Sequence, residues 1–147
     1  MKVKETMTKD VRSLFPQTTA REALKLLFQM QISGLPVIDE KGNIVGMFTE
    51  KDVLRKILPS YVERVGRFSY EENPKGIKQK VAGLDKIKVQ EIMRKEVLTV
   101  NEDTTLCEVA RIMLTENIRR IPVISKEGFV VGMVSRGDVV LALTKET

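Results

Sequence analysis

The 147-residue chain has no histidine, no tryptophan and a single cysteine, and aromatic residues make up only 5% of it. Without imidazole it lacks the commonest metal ligand and the commonest acid or base at neutral pH, and one thiol completes neither a zinc site nor an internal disulfide. Carboxylates and lysines remain, but none stands at a spacing that proposes a reaction, so the chain is read as having no catalytic residues and no metal. No apolar run approaches the roughly 18 residues of a membrane span, and the opening stretch "MKVKETMTKD" lacks the apolar core of a signal peptide. The expectation is a cytoplasmic protein without membrane contact. With 42% hydrophobic and 31% charged residues, the composition is that of an ordinary globular domain.

What is present is a repetition. "GMFTEKDV" at 46–53 returns as "GMVSRGDV" at 132–139, and a constant offset of 86 aligns residues 3–58 with 89–144 without a gap. Val3, Glu5, Met7, Lys9 and Val11 meet Val89, Glu91, Met93, Lys95 and Val97. Ile32, Pro36, Val37 and Ile38 meet Ile118, Pro122, Val123 and Ile124. One supersecondary unit is therefore encoded twice.

Each copy reads as strand, helix, strand, strand, helix. "VRSLF" (11–15) and "VLTV" (97–100) are short β-rich runs, and Thr19-x-x-Glu22 and Thr105-x-x-Glu108 then match the capping box that opens a helix. Ala20, Ala23, Leu24, Leu27 and Met30 follow at helical spacing, as do Leu106, Val109, Ala110 and Met113. Cys107, inside the second of these patterns, is expected to be a small buried hydrophobe. "LPVIDEKGNIVGMF" and "IPVISKEGFVVGMV" are apolar runs around a polar, glycine-bearing turn, a hairpin signal. "EKDVLRKIL" and "RGDVVLALT" close the copies as short helices. The fold class is α/β, of α+β character: two tandem β-α-β-β-α motifs packed through their sheets with pseudo-two-fold symmetry.

Several marks in fixed order carry a family resemblance: Met7-Thr8 and Met93-Arg94, "GLPV" and "RIPV", "GMFTEKD" and "GMVSRGD". Duplicated in register, they resemble the CBS domain, which occurs in pairs called Bateman modules. The division expected is CBS repeat 1 at 1–58, a basic, partly helical linker at 59–88, and CBS repeat 2 at 89–147.

Thr49-x-x-Asp52 and Ser135-x-x-Asp138 have two readings, which do not exclude each other. The pattern is that of a helix cap, in which the hydroxyl and the acid satisfy each other's backbone amides. The resemblance implies a ribose-binding motif, with the aspartate accepting from the sugar hydroxyls and helix N-terminal amides helping to hold a phosphate. Arg119 and Arg120 stand where the first repeat has Ser33 and Gly34. In nucleotide-binding relatives a basic residue here looks toward phosphate, which guanidinium groups bind in bidentate fashion; the plain alternative is a solvated pair of surface charges. For adenine, the resemblance points to apolar positions around Val11, Ile32, Gly34, Pro36, Val97, Ile118, Ile121 and Pro122, which otherwise read as ordinary core.

The connection at 59–88 carries seven Lys or Arg against four Asp or Glu, three of the chain's net +5 charges. "VERVGRF" reads as a helix start and "ENPKG" as a turn. The resemblance implies a regulatory module sensing AMP, ADP, ATP or S-adenosylmethionine in clefts between the repeats, with no required cofactor, forming a homodimer and signalling to an unknown protein partner. Two alternatives stand beside it: a ligand-free dimerisation or interaction scaffold, and nucleic-acid binding through the linker lysines, for which no aromatic stacking motif speaks.

Overall fold

The structure, a computed structural model, describes residues 1–58 and 74–145. It is a mixed α/β fold in which the elements follow the repeated order. After a 3-10 turn at Val3–Glu5 come α1 (Ala20–Met30), β1 (Gly34–Ile38), β2 (Ile44–Thr49) and α2 (Glu50–Ile57). Next come α3 (Pro74–Ala82), a 3-10 turn at Gly83–Lys86, and the single-turn α4 (Val89–Ile92). The second repeat supplies β3 (Val100–Asn101), α5 (Leu106–Thr115), β4 (Arg120–Ile124), β5 (Val130–Ser135) and α6 (Arg136–Lys145). The helix start read in "VERVGRF" lies outside the described residues. So do Glu72 and Asn73 of "ENPKG", whose Pro74 opens α3 instead of a turn; proline suits a first helical turn because its missing N–H has no partner there anyway.

Local chemistry explains the long helices. Thr19 Oγ1 accepts from Glu22 N at 3.1 Å, and Thr105 Oγ1 accepts from Glu108 N at 3.2 Å. Glu108 does not reach back to the cap; it turns to Arg111, whose Nε donates at 2.9 Å. Ala20, Ala23 and Leu27 on α1, and Leu106, Val109 and Met113 on α5, are the buried stripe. Cys107 is exposed, contrary to expectation. It sits one residue past Leu106, about 100° around the helix, while the buried stripe continues at Val109 and Met113.

Both hairpins form, and Gly42 and Gly128 turn them at φ of 89° and 92°, where a β-carbon would be strained. The initial strands are shorter than the sequence suggests. "VRSLF" reduces to a single parallel pairing of Leu14 with Val37, and of "VLTV" only Val100 enters β3, parallel to β4. In the first repeat the chain leaves one compact unit at Arg12 and enters the other at Ser13, so few residues remain to pair.

The two compact units do not coincide with the two sequence copies. One, the first unit, holds Ser13–Asp39 and Val45–Lys95; the second holds Met1–Arg12, Glu40–Ile44 and Glu96–Thr147. Each repeat's opening segment thus packs with the body of the other repeat, and the duplication extends to the way it does so. In the second unit Thr8 and Met133 exchange backbone bonds of 2.8 and 3.0 Å; in the first unit Arg94 and Met47 exchange two of 2.9 Å. Val3 and Val89, equivalent positions, are both fully buried, Val3 among Leu106, Val109 and Ile121 and Val89 among Leu27, Val37 and Phe48.

This exchange accounts for the glycine of the repeated "GM". A β-carbon on Gly46 would overlap Met93 Sδ and lie 2.9 Å from the Arg94 carbonyl oxygen. One on Gly132 would overlap Met7 Sδ and lie 3.0 Å from the Thr8 carbonyl oxygen. The "MT" and "MR" marks and the "GM" marks are therefore two sides of one contact, made once in each unit.

Candidate functional site

In the second unit β5 ends at Ser135 and α6 begins at Arg136, so Ser135 caps the helix. Asp138 N donates to Ser135 Oγ at 3.1 Å, and Ser135 N donates to Asp138 Oδ2 at 2.9 Å, the full reciprocal box. Asp138 is half-buried, and among the described residues its Oδ1 has no hydrogen-bond partner. Arg120 pairs in register with Ser135 across the hairpin, and Arg136 N donates to the Arg119 carbonyl at 2.8 Å. The backbones of the two arginines are thereby held at the start of α6, where the Gly137 amide and the helix dipole favour an anion. Arg119 is exposed and Arg120 half-buried, and neither forms an ion pair among the described residues.

The first unit repeats the geometry with different chemistry. Thr49 N donates to Asp52 Oδ2 at 2.9 Å, and Thr49 Oγ1 donates to the same oxygen at 3.3 Å. Arg55 reaches Asp52 Oδ1 at 3.4 Å. With 6% of its surface exposed, Asp52 is the one buried charged residue among those described. Burial pushes its carboxyl above the ordinary carboxylate range, partly offset by the Thr49 amide and by the charges of Arg55 and Arg94. From the sequence Arg94 is read only as part of the Met93-Arg94 mark, and neither it nor Arg55 is read as a site residue. Their signals are the i+3 spacing from Asp52 and the arginine of "MR" where the first copy has Thr8.

At the start of β1, Gly34 replaces the arginine of the second unit. A β-carbon there would lie 2.8 Å from Thr49 Cγ2 and 3.1 Å from the Phe48 carbonyl oxygen. The Ser33 carbonyl accepts from Glu50 N at 3.0 Å, the counterpart of the Arg119 to Arg136 bond.

The apolar candidates fall into two groups by unit. Ile32, Gly34 and Pro36 lie in the first unit with Thr49 and Asp52; Val11, Val97, Ile118, Ile121 and Pro122 lie in the second with Ser135 and Asp138. Gly34, Pro36, Ile121 and Pro122 are buried, and Ile121 has no exposed surface and sits in the core cluster; Val11, Ile32, Val97 and Ile118 are half-buried and keep surface open to a ligand. Among the described residues there is no cluster of potential metal ligands, and no helix is long and apolar enough to cross a membrane.

Comparison with known proteins agrees with the repeat. The CBS domain family model matches residues 3–59 and again 89–145. The CBS domain-containing protein CBSX1, chloroplastic, of Arabidopsis thaliana is 36% identical over 95% of this chain, which spans 63% of that relative's length. A crystal structure of CBSX2 in complex with AMP superposes with a TM-score of 0.75 at 27% identity, covering 99% of this chain and 97% of the other. The CBS domain pair of protein MJ0100, in complex with 5'-methylthioadenosine and S-adenosyl-L-methionine, superposes with a TM-score of 0.73 at 26% identity, covering 100% and 98%.

Proposed function

The chain belongs to the CBS domain family, and from that premise we propose that it is a non-catalytic regulatory module whose ligand is an adenosine nucleotide or derivative, bound first of all at the Ser135–Asp138 turn. The observation that carries this reading is that Arg119 and Arg120, without ion pairs among the described residues, are tied through their backbones to the start of α6, where Asp138 has one oxygen without a partner among those residues. The AMP and S-adenosylmethionine complexes of structural neighbours support the ligand class.

In this reading Asp138 Oδ1 accepts from a ribose hydroxyl while Oδ2 keeps its cap bond. The sugar is oriented without melting the helix start. Arg120 and Arg119 take phosphate oxygens together with the Gly137 amide of α6. Half-buried Ile118, Val97 and Val11 offer apolar surface to the base. No proton is moved and no bond is made. A ligand acts here by shifting a population of conformations, and it shifts them only by its differential affinity for each. A homodimer, a protein partner that reads the shift and a cytoplasmic location complete the proposal.

A thermal-shift series with AMP, ADP, ATP, S-adenosylmethionine and a short DNA duplex tests it. Ligand at 100 times its dissociation constant stabilises the fold by about 2.7 kcal/mol, which raises the melting temperature by several degrees. The expected result is a shift with adenosine ligands that disappears in Asp138→Ala. An equal shift in that variant, or a shift with DNA alone, overturns the proposal.

A further inference from the structure

One turn occurs in both units, and its chemistry is reversed between them. In the second unit the turn at 101–104 is closed by Asn101 N donating to Thr104 Oγ1 at 3.1 Å, and the Thr104 carbonyl accepts from Val3 N at 2.8 Å. In the first unit the turn at 15–18 is closed by Phe15 N donating to Thr18 Oγ1 at 3.2 Å, and the Thr18 carbonyl accepts from Val89 N at 2.7 Å. Lys2 and Lys88 hold equivalent places beside these turns, bridged to Thr105 and to Thr19. In the second unit Asp103 takes the lysines, Lys4 at 3.1 Å and Lys2 at 3.5 Å. In the first unit Phe15, Pro16 and Gln17 stand where the second has Asn101, Glu102 and Asp103. Both acids are gone, Lys88 forms no ion pair among the described residues, and Phe15 is 54% exposed.

The basic segment that meets this turn is held in place. Arg21 Nη2 donates to the Val81 carbonyl at 2.7 Å near the end of α3, Leu84 is 2% exposed within the core, and the Ile87 carbonyl accepts from Ala20 N at 2.8 Å. Ile87 packs against the core, so Lys86 and Lys88 on either side of it lie outward. Residues 74–95 carry seven Lys or Arg against Asp85 and Glu91. Both carboxylates are engaged, Asp85 with Arg21 Nε at 2.7 Å and Glu91 with Lys88 N at 2.6 Å. Lys78, Lys80, Lys86 and Lys88 are exposed, and none forms an ion pair among the described residues.

We propose that the turn at 15–18 and the lysines beside it form a surface for single-stranded nucleic acid. The lysines take backbone phosphates, and the Phe15 ring offers a stacking platform to a base, which is free to stack only where it is unpaired. Along the sequence Phe15 stands far from these lysines, and the fold brings it beside Lys88. An acidic protein segment would meet the same lysines but would leave the exposed ring without a role. The turn of the second unit, with Asp103 on its lysines and no aromatic, does not share the activity. The inference goes beyond the adenosine reading and does not rest on it.

Fluorescence anisotropy with a labelled oligouridylate of about 12 nucleotides, within the range of single-strand sites, tests it over a series of salt concentrations. Uracil keeps the adenosine turns out of the measurement. A duplex of the same length and heparin are run beside it. Phe15→Asn and Gln17→Asp install the residues that the same turn already accommodates in the second unit, so the fold is retained, and unchanged melting temperatures check this. Wild type is expected to prefer the single strand to the duplex. Phe15→Asn weakens it about tenfold with the salt dependence unchanged, as for the loss of one stacked base, and Phe15→Tyr restores it. Gln17→Asp weakens binding through charge, and Lys86→Gln with Lys88→Gln lowers the salt slope by about 1.4, about 0.7 for each phosphate contact. Absence of single-strand binding in wild type, or binding that is indifferent to Phe15→Asn, overturns the proposal. Heparin or duplex binding that matches the single strand and does not depend on Phe15 identifies a surface for any polyanion and overturns it as well.

Discussion

The two repeats use one motif and obtain two electrostatic environments from it. At Ser135 the aspartate is half-buried and spends one oxygen on the cap, and Arg120 pairs with Ser135 across the hairpin without an ion pair among the described residues. At Thr49 the aspartate is 6% exposed, and its oxygens are taken by Thr49 and Arg55. The shared part is the backbone task of starting a helix. The difference comes from what surrounds the cap: a methyl group at Thr49, a glycine at position 34, and arginines at 55 and 94 where the second unit has Leu141 and Thr8. A duplicated pattern therefore establishes a duplicated local structure and leaves the ligand chemistry of each copy to its neighbours.

The largest effect is expected where the comparison is most symmetrical. Gly46→Ala and Gly132→Ala each place a β-carbon against a methionine sulfur and a backbone oxygen of the docked opening segment, and each is expected to cost about 1 to 3 kcal/mol by overpacking. Urea unfolding of both variants measures this, and a clear inequality between them breaks the equivalence of the two contacts. Val3→Ala and Val89→Ala, which empty the buried anchor of the same segments, are expected to cost about 2 kcal/mol each by the same measurement.

Arg120→Ala comes next and acts on one repeat. It is expected to weaken AMP by about tenfold or more with little change in stability, and to weaken ATP more than adenosine, since the loss follows phosphate. Equal weakening of adenosine and ATP removes the phosphate role.

The smallest effects separate the two aspartates. Asp138→Ala is expected to cost about 1 kcal/mol, the ordinary worth of a helix cap. Asp52→Ala is expected to cost less at neutral pH, because removing the carboxylate also removes its desolvation. The sign follows from the raised carboxyl: its folded value lies above its unfolded one, so its contribution favours the fold below the ordinary carboxylate range and is withdrawn as pH rises through the folded value. Asp52→Asn keeps an acceptor for the Thr49 amide and cannot ionise. Its stability relative to wild type is expected to improve from acid to neutral pH in a series of urea midpoints. A constant difference across that range shows that Asp52 is not held in a desolvated state.

Much of the fold was legible because its causes are local. Thr19 caps Glu22, Thr105 caps Glu108 and Ser135 caps Asp138 over three residues each, and Gly42 and Gly128 turn their hairpins within a few positions. The apolar stripes of α1 and α5 were readable by period, though period alone misjudged Cys107, which sits beside the stripe. The initial strands were overread because β-rich composition says nothing of which partner is within reach.

The sequence by itself determined that one unit is built twice, where its helices begin, where its hairpins turn, and that each copy ends in a capped helix bearing an aspartate. All of these depend on residues a few positions apart, whose geometry is set by covalent distance. Only the tertiary structure decided that the opening segment of each copy packs with the body of the other, that Gly46 and Gly132 make room for it, and that Asp52 is buried while Asp138 is half-buried. Those outcomes depend on which surfaces far apart in the chain come into contact, and no spacing along the sequence encodes that.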